Sequence, residues 1–159
     1  MPSLTVAAAQ IACRPGDVQA NLDGHLAMIE MARSRGVDLL VFPELSLTDY
    51  LAAPDCAALA KGRDDPMLAQ LSKAAGAMAV SVGFIERDET GRFFNAQALL
   101  HRENLVVHRK LNLPGYGALR EDRVYASGEA LTLAPLDDNW QAATLICADS
   151  WNPALPWLT

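Results

Sequence analysis

Short apolar runs alternate with amphipathic stretches along this chain, and each kind predicts a different element. Apolar runs that end at a turn residue predict buried strands, whereas apolar positions three or four residues apart predict helices. Up to residue 85, the predicted elements are strand 4–10, a helix that Asp17 caps and Gly36 ends, strand 38–42, a helix opened by Asp64, Asp65 and Pro66, and strand 79–85. Beyond it, they are strands 93–101 and 105–108, which continue as two successive hairpins, and strands 131–134 and 142–146. This order of β–α units followed by hairpins predicts an α/β fold with a mixed sheet.

Composition and charge restrict the classes of function. With 159 residues, 51% of them apolar, the chain is long enough for one domain with its own core. No run approaches the ~18 apolar residues of a membrane span, and the start lacks the segments of a signal peptide, so neither is predicted. A net charge of −6, with acids and bases interspersed, leaves no basic stripe for nucleic acid. Three cysteines without a disulfide-scaffold spacing predict a reducing compartment, the cytoplasm.

Of the three cysteines, Cys147 is the one placed as nucleophiles usually are. An apolar, strand-like run delivers it directly into a turn made of Ala148, Asp149 and Ser150. A thiol at the rim of a sheet can be exposed while the backbone N–H groups of its neighbours face the same cavity. Taken alone, the position also fits a small apolar core residue, which is what most cysteines are.

Two charged residues follow strands in a similar way. Glu44 comes after strand 38–42, between a proline and a leucine, where apolar neighbours are expected to raise its pKa towards that of a general base. Lys110 follows strand 105–108 and precedes a loop rich in glycine and proline. Each has an ordinary alternative when taken alone, a glutamate in a surface turn and a solvated lysine.

In the order Glu44, Lys110 and Cys147, these motifs resemble those of the nitrilase superfamily, the carbon–nitrogen hydrolases that act on amides, nitriles and related groups. The similarity begins with LTVAAAQ and continues through NLDGHLAMIEMARSRGVDLLVFPEL. The later stretch DRVYASGE looks most like amidases and the glutaminase domains of glutamine-dependent NAD synthetases. The resemblance implies a four-layer αββα sandwich. Residues 1–159 would then be a single carbon–nitrogen hydrolase domain that is incomplete at its C-terminus, because the family continues beyond the nucleophile turn.

The resemblance also implies a chemistry, hydrolysis of a small carboxamide through a cysteine thioester with no cofactor. Cys147 would attack the amide carbon, Glu44 would serve as general base and acid, and Lys110 would stabilise the oxyanion together with the Ala148 N–H. The adjacent cation is expected to lower the pKa of the cysteine. Glu121 aligns with a fourth acidic residue, which in relatives supports the lysine and the attacking water. Ala148 stands where relatives often have Trp or Glu, and this change is expected to alter the shape of the pocket.

The remaining polar and aromatic residues carry weaker predictions. Tyr50, Tyr116 and Trp151 fall in loops next to the three motifs, where they either contact the substrate or pack as ordinary amphipathic rings. A metal site is not predicted, because no histidine pair has the spacing of HExxH or a similar motif. Cys13 and Cys56 occupy no ligand pattern and are predicted to be structural thiols.

Three functions stay open from the sequence. The first is a thiol-dependent amidase of small carboxamides, and the second is a glutaminase module that supplies ammonia to a synthetase partner. The third is an inactive structural or interaction fragment, suggested by the end of the chain at Thr159, shortly after the nucleophile turn. The expected partner is a small amide, with no nucleic acid and no membrane. The resemblance implies a homo-oligomer assembled through further helices.

Overall fold

A five-stranded mixed sheet forms the centre of the structure, a computed structural model that describes residues 2–116 and 120–159. Its strands are β1 (Val6–Ala8), β2 (Leu39–Val41), β3 (Ala79–Arg87), β4 (Phe93–His101) and β5 (Asn104–Arg109). They lie side by side in chain order. The first three strands are parallel, and β4 and β5 join by antiparallel hairpins, which confirms the prediction of a mixed α/β sheet.

Two helices cover one face of the sheet, and local sequence explains where each begins. In α1 (Val18–Ser34), the Asp17 side chain accepts a hydrogen bond from the Ala20 N–H at 3.1 Å. In α3 (Pro66–Ala75), the Asp65 side chain accepts one from the Met67 N–H at 3.0 Å, and a proline occupies the first turn. Their apolar faces share one core with the sheet, which includes Leu22, Ile29, Leu68, Leu71, Leu40, Val80, Val82, Phe84, Ala96 and Leu100.

A second antiparallel pair lies against the opposite face of the sheet. It consists of β6 (Leu133–Pro135) and β7 (Gln141–Ala143). Side chains of its first strand and the following turn pack on a separate core of Leu39, Ala79, Leu99, Ala134 and Leu136. Neighbouring residues such as Leu39 and Leu40 therefore enter opposite cores, as the alternation of side chains in a strand requires. The described residues thus form three successive layers, of helices, sheet and hairpin.

The segment after the Glu44 turn, predicted as a polar loop, contains short helices. The outer strands of the structure are shorter than predicted. A 3-10 helix (Tyr50–Asp55) and helix α2 (Cys56–Leu59) follow the Glu44 turn. The predicted strand 142–146 pairs only as far as Ala143, because β6 offers a partner for three residues. An apolar run favours an extended, buried chain, but a strand also needs a neighbour in register.

The end of the chain is helical. Residues Cys147–Trp151 form a 3-10 turn, and α4 (Ala154–Leu158) follows it. Within the part of the chain that the structure describes, no helix has both the length and the apolar character to cross a membrane.

Candidate active site

The charged residues that the sequence singles out lie together at one edge of the sheet. Strands β2, β3 and β5 run in the same direction, so their C-terminal ends share an edge. Glu44 lies shortly after β2, and Lys110 follows β5 directly. Glu121 begins a 3-10 turn (Glu121–Arg123) in the loop that follows Lys110. The topology of the sheet therefore brings distant parts of the chain to one place.

A glycine in β3 allows the turn that carries Glu44 to lie against the sheet. A Cβ atom at Gly83 would overlap the backbone of Pro43 and Leu45. Since such overlap cannot be relieved by a flexible side chain, a larger residue would displace the turn. The turn is also tied to the strand, because the Leu47 N–H donates to the Gly83 carbonyl at 2.9 Å.

Lys110 forms the centre of the site. Its Nζ donates to Glu44 Oε1 at 2.6 Å and to Glu121 Oε1 at 2.8 Å, and the side chain is fully buried. Burial by itself lowers the pKa of Lys110, but the hydrogen bonds to Glu121 and Glu44 outweigh it and hold the pKa above its usual value. The lysine is therefore a buried ammonium ion between two carboxylates.

Asn95 in β4 joins the same two carboxylates, and the sequence analysis missed it. Its Nδ2 lies 2.6 Å from Glu44 Oε1 and 3.5 Å from Glu121 Oε2, and the side chain is buried. The register of β4 and β5 places it beside the lysine, since the Lys110 N–H donates to the Asn95 carbonyl at 2.9 Å. The available signal was a buried amide among the apolar residues of β4, since buried polar groups rarely lack a partner; Gln97 in the same strand gives the same signal.

Tyr50, expected in a substrate-contacting loop, is hydrogen-bonded to one of the carboxylates. Its hydroxyl donates to Glu121 Oε1 at 2.6 Å. Burial and this hydrogen bond raise the pKa of Tyr50, so it remains a neutral donor. Glu121 is almost wholly buried and accepts from both Tyr50 and Lys110. Glu121 Oε1 thus already accepts hydrogen bonds from two donors.

Cys147 is exposed and begins the turn with a left-handed backbone, φ 45°. Partial burial of the sulfur raises the pKa of the thiol, and so does the nearby Glu44 carboxylate. Lys110 and the Ala148 N–H lower the pKa. Lys110 therefore acts on the cysteine in the expected direction, but burial and the carboxylates of Glu44 and Glu121 outweigh it, so the pKa of the thiol is raised. The resting nucleophile candidate is a thiol that needs a base.

A cavity of about 230 Å³ connects the cysteine with one of the two carboxylates. Its lining includes both Glu44 and Cys147. Glu121 is absent from this lining, although it contacts the same lysine. Of the two carboxylates, Glu44 is therefore the one that shares open space with the sulfur.

The other predicted substrate contacts lie in a neighbouring groove of about 470 Å³. Its lining includes Tyr116, Ala148 and Trp151. The rings of Tyr116 and Trp151 are stacked, with centroids 6.4 Å apart, and both are more than half exposed. The Ala148 side chain is buried at the junction with the nucleophile turn. Part of the loop after Tyr116, residues 117–119, lies outside the described residues.

Within residues 2–116 and 120–159, no group of three or more His, Cys, Asp or Glu side chains is arranged to hold a metal ion. The three cysteines are free thiols.

Most of the chain matches a protein family. Residues 5–157 fit the family described as carbon-nitrogen hydrolase. The chain belongs to the carbon–nitrogen hydrolase family. This result confirms the resemblance to the nitrilase superfamily that the Glu44, Lys110 and Cys147 motifs carried.

Individual relatives of this carbon–nitrogen hydrolase include synthetases and amidases. It is 36% identical over 161 residues to a glutamine-dependent NAD(+) synthetase of Thermotoga maritima. The aligned region covers 98% of this chain and 27% of the synthetase. Its fold matches a glutamine-dependent NAD+ synthetase from Acinetobacter baumannii with a TM-score of 0.87 and 27% identity, covering 99% of this chain and 30% of the other.

An amidase from Nesterenkonia sp. AN1 matches with a TM-score of 0.78 and 22% identity, covering 96% of this chain and 58% of the other. In that structure, a mutant of the amidase carries the acetamide moiety of fluoroacetamide covalently attached to the active-site cysteine. These matches confirm the nitrilase-type fold class. The carbon–nitrogen hydrolase chain spans 27% of the Thermotoga synthetase and 58% of the amidase.

Proposed function

We propose that this carbon–nitrogen hydrolase cleaves the C–N bond of a small carboxamide through a thioester on Cys147. The observation that carries the proposal is a buried lysine held between two carboxylates, one of which opens into the same cavity as an exposed cysteine. Such a set provides a nucleophile, a base and a fixed positive charge, which are the groups that acyl transfer requires.

Acylation begins with a proton transfer, because the resting Cys147 is a thiol. Glu44 takes the thiol proton as the sulfur attacks the amide carbon, so the S–C bond forms and the carbonyl oxygen becomes an oxyanion. The oxyanion then collapses, the C–N bond breaks, and Glu44 delivers its proton to the departing nitrogen. The products of this half-reaction are ammonia and a thioester.

Lys110 can stabilise the oxyanion without giving up its two carboxylate partners. An ammonium group has three N–H donors, and Glu44 and Glu121 each accept one of them. In the proposal, the third donates to the substrate oxygen. The Ala148 N–H is the second donor of the proposal, since it lies against the sulfur at the start of the turn.

Hydrolysis of the thioester uses Glu44 again, first as the base and then as the acid. Glu44 takes a proton from water, the hydroxide adds to the carbonyl carbon, and the C–S bond breaks with return of the proton to sulfur. Glu44 suits this role better than Glu121, because 20% of its side chain is accessible against 4% for Glu121. Glu121 instead holds the lysine, and Tyr50 holds Glu121.

The groove next to the nucleophile turn is our candidate for binding the rest of the substrate. Tyr116 and Trp151 offer exposed aromatic surface, and the groove that they line also includes Ala148. An aromatic lining of this kind favours the apolar part of an amide. The proposal includes a reducing compartment such as the cytoplasm, since a thiol nucleophile has to stay reduced. Assembly into a homo-oligomer stays a prediction.

A second candidate function is a glutaminase that supplies ammonia to a synthetase. It is supported by the 36% identity to a glutamine-dependent NAD(+) synthetase. Its chemistry at Cys147 would be the same, with glutamine as the amide. Ammonia release from glutamine well above that from simple amides would favour this function, and the reverse preference would favour the amidase.

The test combines ammonia release with intact-mass detection of the thioester. We expect Cys147→Ala to lower the rate by at least about 1,000-fold, because both half-reactions pass through the sulfur. The matched control is Cys56→Ala, a half-buried free thiol, which should stay within about twofold of the parent. An acyl adduct on the Cys147 peptide is expected in the parent and in the control. Absence of both ammonia and adduct with every amide would leave the inactive fragment as the better interpretation.

A further inference from the structure

The turn that carries Cys147 is fastened to the segment that carries Lys110 by one buried carboxylate, that of Asp149. The Asp149 side chain is fully buried and accepts hydrogen bonds from five donor groups. No step of the proposed reaction uses it directly. Its partners, however, flank both the cysteine and the lysine along the chain.

One oxygen of Asp149 holds the residues that follow Lys110. Its Oδ1 accepts from the Leu111 N–H at 3.0 Å, from the Asn112 N–H at 2.7 Å and from Asn112 Nδ2 at 3.3 Å. These donors immediately follow the lysine, so the backbone direction after Lys110 depends on this oxygen.

The other oxygen holds the residues that precede the cysteine and the lysine. Its Oδ2 accepts from the Ile146 N–H at 3.0 Å and lies 3.2 Å from Nε2 of His108, a buried residue of β5. His108 Nδ1 lies 3.4 Å from Thr132 Oγ1, which extends the network to the segment before β6. The Nε2–H tautomer allows His108 to donate to the carboxylate.

The charge on Asp149 is maintained by these donors. Burial by itself raises the pKa of Asp149, but the hydrogen bonds from His108, Asn112 and Ile146 outweigh it and hold the pKa below its usual value. An ionised carboxylate in the interior binds its donors more tightly than a neutral amide would. A neutral substitute of the same size should therefore loosen the connection without leaving a cavity.

The backbone at Cys147 needs such a connection. A φ of 45° is uncommon for a residue with a side chain, and it persists only where the surroundings hold it. The turn closes through the Asp149 N–H, which donates to the Ile146 carbonyl at 3.0 Å, while the Asp149 side chain accepts from the Ile146 N–H. Both hydrogen bonds span Cys147.

We infer that Asp149 is a positioning residue that sets the place of the Cys147 sulfur relative to the Lys110 ammonium, with His108 holding the carboxylate in orientation. The inference rests on the proposed function for its effect on catalysis. Its geometric part concerns only the position of the sulfur, which can be measured without substrate.

The first test is Asp149→Asn in the full chain. We expect kcat for amide hydrolysis to fall about 100-fold with KM within about threefold, since a small displacement of reacting groups costs about that factor while leaving binding intact. The matched control is Asp137→Asn, an exposed aspartate that also accepts from two backbone N–H groups, and it should keep parental kcat. A folded Asp149→Asn protein with kcat within threefold of the parent would overturn the inference, even if its melting temperature were lower.

The second test keeps the inference open to refutation if Asp149→Asn does not fold. His108→Leu removes one donor to the carboxylate, whereas His108→Gln retains an amide N–H that can reach it. We expect a kcat loss of about tenfold or more in the leucine variant and recovery of most of it in the glutamine variant. Equal kcat in the two variants would overturn the inference.

The third measurement separates failure of the positioning role from failure of the proposed function. Alkylation of Cys147 by iodoacetamide, followed from pH 6 to 10 by peptide mass, needs no turnover. We expect Asp149→Asn to change its rate about tenfold near pH 8, because the sulfur then lies at different distances from Lys110 and Glu44, while labelling of Cys56 is unchanged. An unchanged alkylation profile would refute the positioning role. An altered alkylation profile in a protein that hydrolyses no amide would refute only the proposed function.

Discussion

At the scale of single residues, the site consists of one cation shared by two carboxylates with unequal surroundings. Glu121 is surrounded by donors, whereas Glu44 opens into the cavity that Cys147 also lines. The lysine keeps its charge because both carboxylates hold it. Burial and the same pair of carboxylates outweigh the effect of Lys110 on the cysteine, so the pKa of the thiol is raised and it is protonated at rest. In this arrangement, the Cys147 thiol attacks the substrate only when Glu44 removes its proton.

Asn95 tests whether the orientation of Glu44 matters. Replacing it by leucine, which has the same branching but no polar atoms, removes a 2.6 Å hydrogen bond to Glu44 without opening a cavity. Hydrogen bonds to charged groups contribute about 1.5–3 kcal/mol, so we expect kcat to fall roughly 10- to 100-fold. Asn139→Leu, in an exposed turn, is the matched control. Steady-state kinetics would check this, and an unaltered kcat in folded Asn95→Leu would show that Glu44 needs no such support.

At the scale of elements, the site depends on short turns packed against the ends of strands. The turn after β2 lies against Gly83 of β3, and the lysine follows β5 without an intervening loop. The β4–β5 register then places Asn95 beside Lys110. The rigid part of the fold therefore positions the base and the cation, while a strained turn presents the sulfur.

Gly83→Ala tests the contact between the Glu44 turn and the sheet. A Cβ atom there overlaps backbone atoms, so we expect a loss of about 1–3 kcal/mol in unfolding free energy and loss of most activity. The matched control is Gly24→Ala within α1, where nothing lies within 4 Å of the added atom. That change should stabilise by about 0.5–1 kcal/mol. Urea unfolding measures both variants, and equal midpoints would contradict the packing argument.

At the scale of the whole molecule, buried carboxylates connect separate segments of the chain through charge. Asp149 joins the sheet to the nucleophile turn, as described above. Glu86 of β3, also buried, is bonded to Arg63 at 2.6 Å and to Arg109 at 2.7 Å. Burial by itself raises the pKa of Glu86, but hydrogen bonds from Arg109 and Arg63 outweigh it and lower the pKa. Both carboxylates are therefore more acidic in the folded protein than in the unfolded chain.

This difference predicts the pH dependence of stability. A carboxylate with a depressed folded pKa stabilises the protein above its unfolded pKa, about 3.9 for Asp and 4.3 for Glu, and the contribution is lost as pH falls through the folded value. We expect the urea midpoint to drop steadily below about pH 4. In Glu86→Gln, the midpoint should be lower at neutral pH and its acid slope shallower, whereas Glu89→Gln, at an exposed position, should follow the parent. A parental acid slope in Glu86→Gln would contradict this assignment.

The sequence by itself determined the order of the main strands and of the two longer helices, and the residues that open those helices. Helix caps at Asp17 and Asp65, the apolar strands and the residues Glu44 and Lys110 after two of them depend on neighbours along the chain, which a pattern can show. The nucleophile motif at Cys147 likewise has a local signature, and the family match covers residues 5–157.

Only the tertiary structure decided which side chains share the site. Asn95 reaches Glu44 across 51 positions of sequence, and Asp149 reaches Asn112 across 37, because strand register and turn packing bring them together. The sequence pattern also could not predict where the short outer strands end or that the pKa of Cys147 is raised. The reason is physical: hydrogen-bond partners, burial and the balance of nearby charges depend on contacts between distant segments, which local preferences do not contain.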